Sequence, residues 1–137
     1  MTTQAISARP LSFSGLRWVH RISTGWLVLL MLSGGALDAF AVPEAMAVFS
    51  DLGYPAYFAR ILGVAKLLGV VALLAPVPRF LREWAYAGFV IDVSCAILSL
   101  LAVGHAVTAL GIPLLALALV LTSYASSRAV TSRAQIL

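Results

Sequence analysis

The sequence has very little charge. Only 10% of its 137 residues are Asp, Glu, Lys or Arg, whereas 62% are hydrophobic. A soluble domain carries roughly a quarter charged residues, because it must cover a surface that faces water. This composition excludes an ordinary soluble protein. The length predicts one domain rather than a membrane domain joined to a soluble catalytic one.

Cysteine and catalytic motifs are also scarce. Cys95 is the single cysteine, so no intrachain disulfide can form. There is no Gly-rich phosphate loop, H-E-x-x-H, C-x-x-C or nucleophile elbow. His20 and His105 lie near opposite membrane faces, so we expect neither a metal site nor a haem. The net charge of +4 does not indicate nucleic acid, because the basic residues flank apolar segments instead of forming one stripe.

Four long apolar segments are present: Ile22–Ala41, Tyr57–Ala75, Trp84–Val103 and Ala106–Ala125. Each has about 20 residues, which at helical rise matches a hydrocarbon core ~30 Å thick. None shows the period-2 alternation of a membrane β-barrel. The sequence therefore predicts an all-α protein, a transmembrane four-helix bundle.

Prolines and glycines define the connections between the spans. Pro43–Leu52 predicts a short interfacial helix between the first and second spans, ended by Gly53. Pro113 lies inside the fourth segment and predicts a kink there. That segment carries no charge, so we expect it to face lipid or a partner.

The basic residues predict the orientation. They lie in the N-terminal flank, the second connection and the C-terminal tail: Arg9, Arg17, Arg21, Arg79, Arg82, Arg128 and Arg133. The positive-inside rule places these three parts in the cytoplasm. We therefore divide the chain into a cytoplasmic segment (1–20), a four-span membrane domain (21–125) and a cytoplasmic tail (126–137). A signal peptide cleaved after residues 39–41 is the alternative, against which the length of the span and Asp38 argue.

Four charged residues lie inside the spans, where a charge is costly and so marks a candidate for function. Counted from the cytoplasmic ends, Lys66 lies about 15 Å deep and Asp92 about 14 Å. Asp38 and Arg60 lie about 25 Å and 24 Å deep. We predict two buried pairs, Lys66–Asp92 and Asp38–Arg60. They serve either to fix helix order or to line a polar pocket for a headgroup, a quinone or a proton.

Small and polar residues of the second and third spans surround these charges: Gly63, Gly69, Gly88, Cys95 and Ser99. Small residues let membrane helices approach closely. We therefore predict a packing or pocket face here, with Cys95 as a buried small residue.

Several blocks of the sequence resemble a known family. They are LGYP (52–55), LGVAKLLG (62–69), LLAP (73–76) and EWAYAGF (83–89). Together they resemble the DoxX-like family of small bacterial membrane proteins, over roughly residues 20–125. The family pattern has an aspartate after the aromatic-glycine block, which Asp92 matches. It also has a serine-histidine pair in the third span, whereas here Ser99 is followed by Leu100.

The resemblance implies a four-helix bundle in the bacterial cytoplasmic membrane, but no single activity. Some relatives are linked to a thiosulfate:quinone oxidoreductase and others to oxidative-stress assemblies. Fold analogy does not choose among these.

We expect a non-catalytic subunit or accessory factor of a membrane-associated assembly. Its surroundings would be the lipid bilayer and a membrane-protein partner or a homo-oligomer, with no cofactor. The first alternative is a quinone- or lipid-binding redox component that uses Lys66 and Asp92. It would be the membrane subunit of a quinone-linked oxidoreductase. The second is a small proton-coupled transporter that acts as an oligomer.

Overall fold

A computed structural model describes residues 13–135 of the chain, which fold into helices without a strand. The helices are α1 (Phe13–Ala39), α2 (Pro43–Asp51), α3 (Ala56–Leu74), α4 (Arg79–Val103), a 3-10 helix (Val107–Leu110) and α5 (Gly111–Ala134). Four of these helical segments are long and apolar enough to cross a membrane. The predicted four-span bundle is confirmed, and so is the short helix between the first two spans.

The four long helices form a ring. α1 and α4 each pack against both α3 and α5, while α2 contacts α1 and α3 at one end. The side chains that point into the ring form an apolar core: Leu27, Met31, Val70, Leu73, Tyr86, Phe89, Val93, Ala116 and Val120. Many large apolar side chains instead point outward, such as Leu68 and Ile91, which are each 64% exposed. An exposed apolar surface of this size is unfavourable in water but favourable against the lipid chains of a membrane.

Gly53 and Gly104 end α2 and α4 in the same way. Both adopt a φ of +79°, which glycine reaches without steric cost. At the end of α2, the Gly53 N–H donates to Ser50 O (3.0 Å) and the Tyr54 N–H donates to Phe49 O (2.8 Å). This pair of bonds is a Schellman motif, which satisfies carbonyls at the helix end. The helix boundary that we predicted at Gly53 therefore has a hydrogen-bonding cause.

The end of α1 uses an alanine for the same turn. Ala41 has a φ of +54°, the Ala41 N–H donates to Asp38 O (3.2 Å) and the Val42 N–H donates to Leu37 O (3.0 Å). A left-handed backbone costs a non-glycine residue about 1–2 kcal/mol. The turn therefore rests on its hydrogen bonds, and it holds Asp38 in the last turn of α1.

The ends of α1 and α5 differ from the predicted spans. α1 already includes Phe13, and α5 continues to Ala134, so helix extends into both predicted cytoplasmic segments. Pro113 lies in the first turn of α5, directly after the 3-10 helix, where an N–H has no intrahelical partner, so the proline removes no helix hydrogen bond and the kink stays a prediction. Arg9 and the side chain of Arg133 lie outside the described part of the chain.

α1 and α3 touch through their backbones. A Cβ on Gly63 would overlap the backbone of Ala39 and lie 2.7 Å from Gly35 O. A Cβ on Gly35 would lie 2.9 Å from the Cβ of Lys66. Glycine is thus required on both helices for this approach. The contact fixes the register, with Gly35 opposite Lys66 and Ala39 opposite Gly63.

We predict that Gly63→Ala destabilises the bundle by about 1–3 kcal/mol, the usual cost of an overpacked site. The added methyl meets backbone atoms, which cannot move aside as a side chain can. The measurement is the free energy of unfolding in mild detergent.

Gly34→Ala is the matched control, because a Cβ on Gly34 has no atom within 4 Å. We expect it to leave the free energy of unfolding within about 0.5 kcal/mol of the wild type, as surface substitutions do. Equal stability of the two variants would contradict the backbone contact.

Candidate functional site

One lysine lies between two aspartates in the bundle. Lys66 Nζ of α3 donates to Asp38 Oδ2 of α1 at 2.9 Å and lies 3.5 Å from Asp92 Oδ2 of α4. The side chains of Lys66, Asp38 and Asp92 are 17%, 10% and 15% exposed. They are therefore largely withdrawn from the surroundings. We call Asp38, Lys66 and Asp92 the charge triad.

The charge triad contains two acidic groups and one basic group. Two carboxylates share one ammonium, which leaves one formal negative charge when all three groups are ionised. An ammonium has three donors, so it can serve both carboxylates. Charges between membrane helices are costly unless they are paired. The arrangement can therefore hold three helices together, and its surplus carboxylate can take up a proton.

The structure brings Lys66 and Asp92 together but not Asp38 and Arg60. Arg60 is exposed, and Asp38 pairs with Lys66 instead. Two facts explain this correction. The glycine contact fixes the position of α1 along the axis of α3, and at that position Asp38 lies at a depth between Arg60 and Lys66. Six residues also turn a helix by about 120°, so Arg60 points away when Lys66 points inward.

Two of the predicted small or polar residues make contacts within the protein, Gly69 in its interior and Ser99 near its surface. A Cβ on Gly69 would lie 2.6 Å from the ring of Phe89, so this glycine makes room for an aromatic side chain of α4. Ser99 Oγ lies 2.8 Å from Tyr54 Oη, which joins α4 to the connection between α2 and α3. Gly63 and Gly69 thus set how closely α3 approaches α1 and α4.

The other two point outward. Gly88 has no atom within 4 Å of an added Cβ, and Cys95 is exposed, so its predicted burial is wrong. With Ile91, Leu98 and Ala102 they form an exposed line along α4, which we call the outer stripe. The inner face of α4 is set by its apolar residues. The predicted small face is therefore turned partly away from the bundle. Asp92 and Ser99 lie at the edge of the inner face, and Gly88 and Cys95 lie outside it.

A hydroxyl network that the sequence did not reveal joins α1, α4 and α5. Ser123 Oγ is fully buried and lies 2.8 Å from Tyr86 Oη and 2.6 Å from Thr24 Oγ1. His20 Nδ1 lies 3.3 Å from Thr24 Oγ1 and 3.4 Å from Ser126 Oγ. Serine and threonine often bond only their own helix backbone, so their presence in a span is a weak signal. The serine and threonine hydroxyls in the sequence of α5 are nevertheless the one signal that could have predicted polar contacts between this helix and its neighbours.

The expectation that the fourth span faces lipid or a partner stays a prediction for one side of α5, where Ile112 and Leu115 are 69% and 57% exposed, while the other side packs in the bundle. Val120 and Ser123 of α5 have no exposed surface at all. The polar contacts of α5 inside the bundle are made by neutral hydroxyl groups, such as that of Ser123.

Within residues 13–135, no three His, Cys, Asp or Glu side chains gather in a group that could hold a metal ion. The alternative of a quinone bound by Lys66 and Asp92 stays a prediction. In the structure the Lys66 ammonium already has a carboxylate on each side.

We predict that Lys66→Met lowers the free energy of unfolding by about 3–5 kcal/mol, because it leaves two buried carboxylates without a cation. The measurement is unfolding in mild detergent. Arg60→Met, on the exposed side of the same helix, should be nearly neutral.

A triple variant sharpens this test. Lys66→Met combined with Asp38→Asn and Asp92→Asn removes all three charges, so it should recover part of the lost stability. If Lys66→Met alone is as stable as the wild type, the triad does not hold the helices together.

Comparisons with known proteins agree with this architecture. Residues 22–123 match the family model of the DoxX-like family. No curated protein and no solved structure matches the chain. The matched residues contain α3 and α4, parts of α1 and α5, and the complete charge triad. The chain belongs to the DoxX-like family.

Proposed function

We propose that this protein is a non-catalytic membrane subunit that docks a partner helix along the outer stripe of α4. The observation that carries the proposal is the position of Gly88 and Cys95, which are exposed on a helix inside the membrane. Small residues favour close helix packing in lipid. Inside this bundle nothing packs on them, so they are open to another helix.

The spacing of the stripe supports this proposal. Gly88, Ile91, Cys95, Leu98 and Ala102 follow each other at intervals of three or four residues, so they lie on one side of α4. Small and large side chains alternate along this line. A second helix can place its own large side chains against the small ones, as in knobs-into-holes packing. The occupant is a helix of a partner protein or α4 of a second copy.

The charge triad supports a structural rather than a catalytic role for the charged residues. Its ammonium lies within 4 Å of both carboxylates, so all three charged groups make their contacts inside the bundle, with one carboxylate in excess. A triad used in this way keeps α1, α3 and α4 in order and leaves the outer stripe rigid.

We also propose that the protein lies in the bacterial cytoplasmic membrane with both termini in the cytoplasm. The start of α1, the start of α4 and the end of α5 lie at one end of the bundle. They carry the arginines Arg17, Arg21, Arg79, Arg82 and Arg128. The positive-inside rule assigns that end to the cytoplasm.

We predict that Gly88→Leu removes the partner without unfolding the monomer, because a Cβ at Gly88 has no atom of this chain within 4 Å and the larger side chain blocks the stripe. The measurement is copurification from native membranes in mild detergent, together with oxidative crosslinking at Cys95. A crosslinked dimer identifies a second copy, and a stoichiometric foreign protein identifies a partner.

Gly25→Leu is the matched control, because Gly25 is an exposed glycine of α1 with no atom within 4 Å of a Cβ. It should keep the assembly. The proposal fails if the wild type yields neither a dimer nor a partner, or if both glycine variants lose it equally.

The surplus carboxylate of the triad favours a second candidate, a small proton-coupled transporter that acts as an oligomer. Asp92 makes the longer contact with Lys66, 3.5 Å against 2.9 Å for Asp38. It is the carboxylate that we expect to exchange a proton.

For this candidate, liposomes with the wild-type protein should take up protons faster than empty liposomes under a membrane potential. Asp92→Asn should reduce the rate to that of empty liposomes, as read by an internal pH dye. Asp51→Asn, which changes a carboxylate of α2 outside the spans, is the control and should transport normally. A wild-type rate equal to that of empty liposomes would reject the candidate.

A further inference from the structure

A cavity of about 250 Å³ lies between the start of α4 and the end of α5, apart from the charge triad and the outer stripe. It lies at the end of the bundle that carries the arginines. Its wall contains three arginines and one glutamate. The polar side chains that line it are Arg79, Arg82, Glu83, Ser127, Arg128 and Thr131.

The cavity has an excess of positive charge. Glu83 Oε1 pairs with Arg79 Nε at 3.3 Å, so this carboxylate is already occupied. Among the described residues, Arg82 and Arg128 form no ion pair with a carboxylate. Arg128 Nη1 donates to Tyr124 Oη at 3.0 Å, which is a neutral acceptor. Glu83 also attracts Arg128 from a longer distance, but three arginines and one glutamate leave the wall with two formal positive charges in excess.

Arg82 also has an unused donor. Its Nε is buried and has no hydrogen-bond acceptor within the part of the chain that the structure describes. Its Nη2 reaches Ala75 O at 3.4 Å, near the limit for a hydrogen bond. A buried donor without an acceptor is unfavourable. A small shift of the Arg82 side chain toward the cavity would let an anionic oxygen accept from this donor.

The donors match a phosphate group better than a single negative charge. The planar guanidinium fork fits the oxygens of a phosphate. The Ser127 hydroxyl adds a donor from the α5 wall, whereas the Thr131 hydroxyl already donates to Ser127 O at 3.0 Å. The cavity also lies where the spans end, which is the depth of lipid phosphates, and basic pockets between membrane helices suit anionic headgroups.

We propose that this cavity binds a phosphate group, with Arg82 and Arg128 as its ligands. The group comes from the headgroup of an anionic phospholipid or from free phosphate. Because the two sources share one chemistry, the experiment must separate them.

The experiment measures the binding of defined probes to the full-length protein in mild detergent by calorimetry. The probes are a short-chain phosphatidylglycerol, a phosphatidylcholine of equal chain length, and inorganic phosphate at constant ionic strength. We expect phosphatidylglycerol or inorganic phosphate to bind. Arg82→Gln and Arg128→Gln should each weaken that binding about tenfold, since each removes a charge-assisted hydrogen bond.

Arg60→Gln is the control, because Arg60 is an exposed arginine of α3 away from this cavity. It should bind as the wild type does. Arg128 is exposed, so its variant should fold even if Arg82→Gln does not. Binding of phosphatidylglycerol alone identifies the lipid as the source, and binding of inorganic phosphate identifies the free anion.

Two results would overturn the proposal. The first is equal binding of phosphatidylglycerol and phosphatidylcholine that no variant changes, which would mean that the acyl chains alone bind. The second is an equal loss of affinity in Arg60→Gln and Arg128→Gln, which would mean that general charge and not this cavity attracts the phosphate.

Discussion

The charge triad depends on the backbone contact between α1 and α3. With Gly35 and Gly63 at the crossing, the two helices come close enough for Lys66 to meet a carboxylate in the last turn of α1. A side chain at either glycine would push the helices apart and lengthen that bond. Asp92 then completes the triad from α4, since the flexible stem of lysine can place its ammonium between two neighbours. The ion pairs of the triad therefore depend on the close steric contact between the α1 and α3 backbones.

The polar contacts of the protein are arranged in layers along the bundle. The hydroxyl network around Ser123 lies toward the arginine-rich end, the apolar core follows, and the charge triad lies beyond it. At the opposite end, His105 Nε2 lies 2.8 Å from Asp51 Oδ2, between the turn after α4 and α2. Each polar layer joins different helices. In lipid, where apolar burial does not drive helices together, such contacts and close packing set the helix order.

This arrangement leaves different surfaces for different roles. The triad faces inward and serves the bundle, whereas the outer stripe is open to another helix. The arginine cavity lies at the membrane edge, where a phosphate can reach it. A subunit that binds a partner along α4 and a phosphate near the start of α4 would use one helix for both. The two proposals rest on different residues, so either can fail without the other.

The sequence by itself determined the number of spans, the short helix, the glycine at its end and the depth of the ionisable residues. These follow from local hydropathy, chain stiffness and helical rise, which need no neighbour. It also placed Lys66 and Asp92 at one depth, and the structure brings them together. The tertiary structure alone decided that Asp38 meets Lys66 and not Arg60, that Cys95 faces outward and that Val120 and Ser123 of α5 are buried. Those outcomes depend on how far each helix slides and turns against the next, and that is set by contacts between residues distant in sequence, such as Gly63 and Ala39.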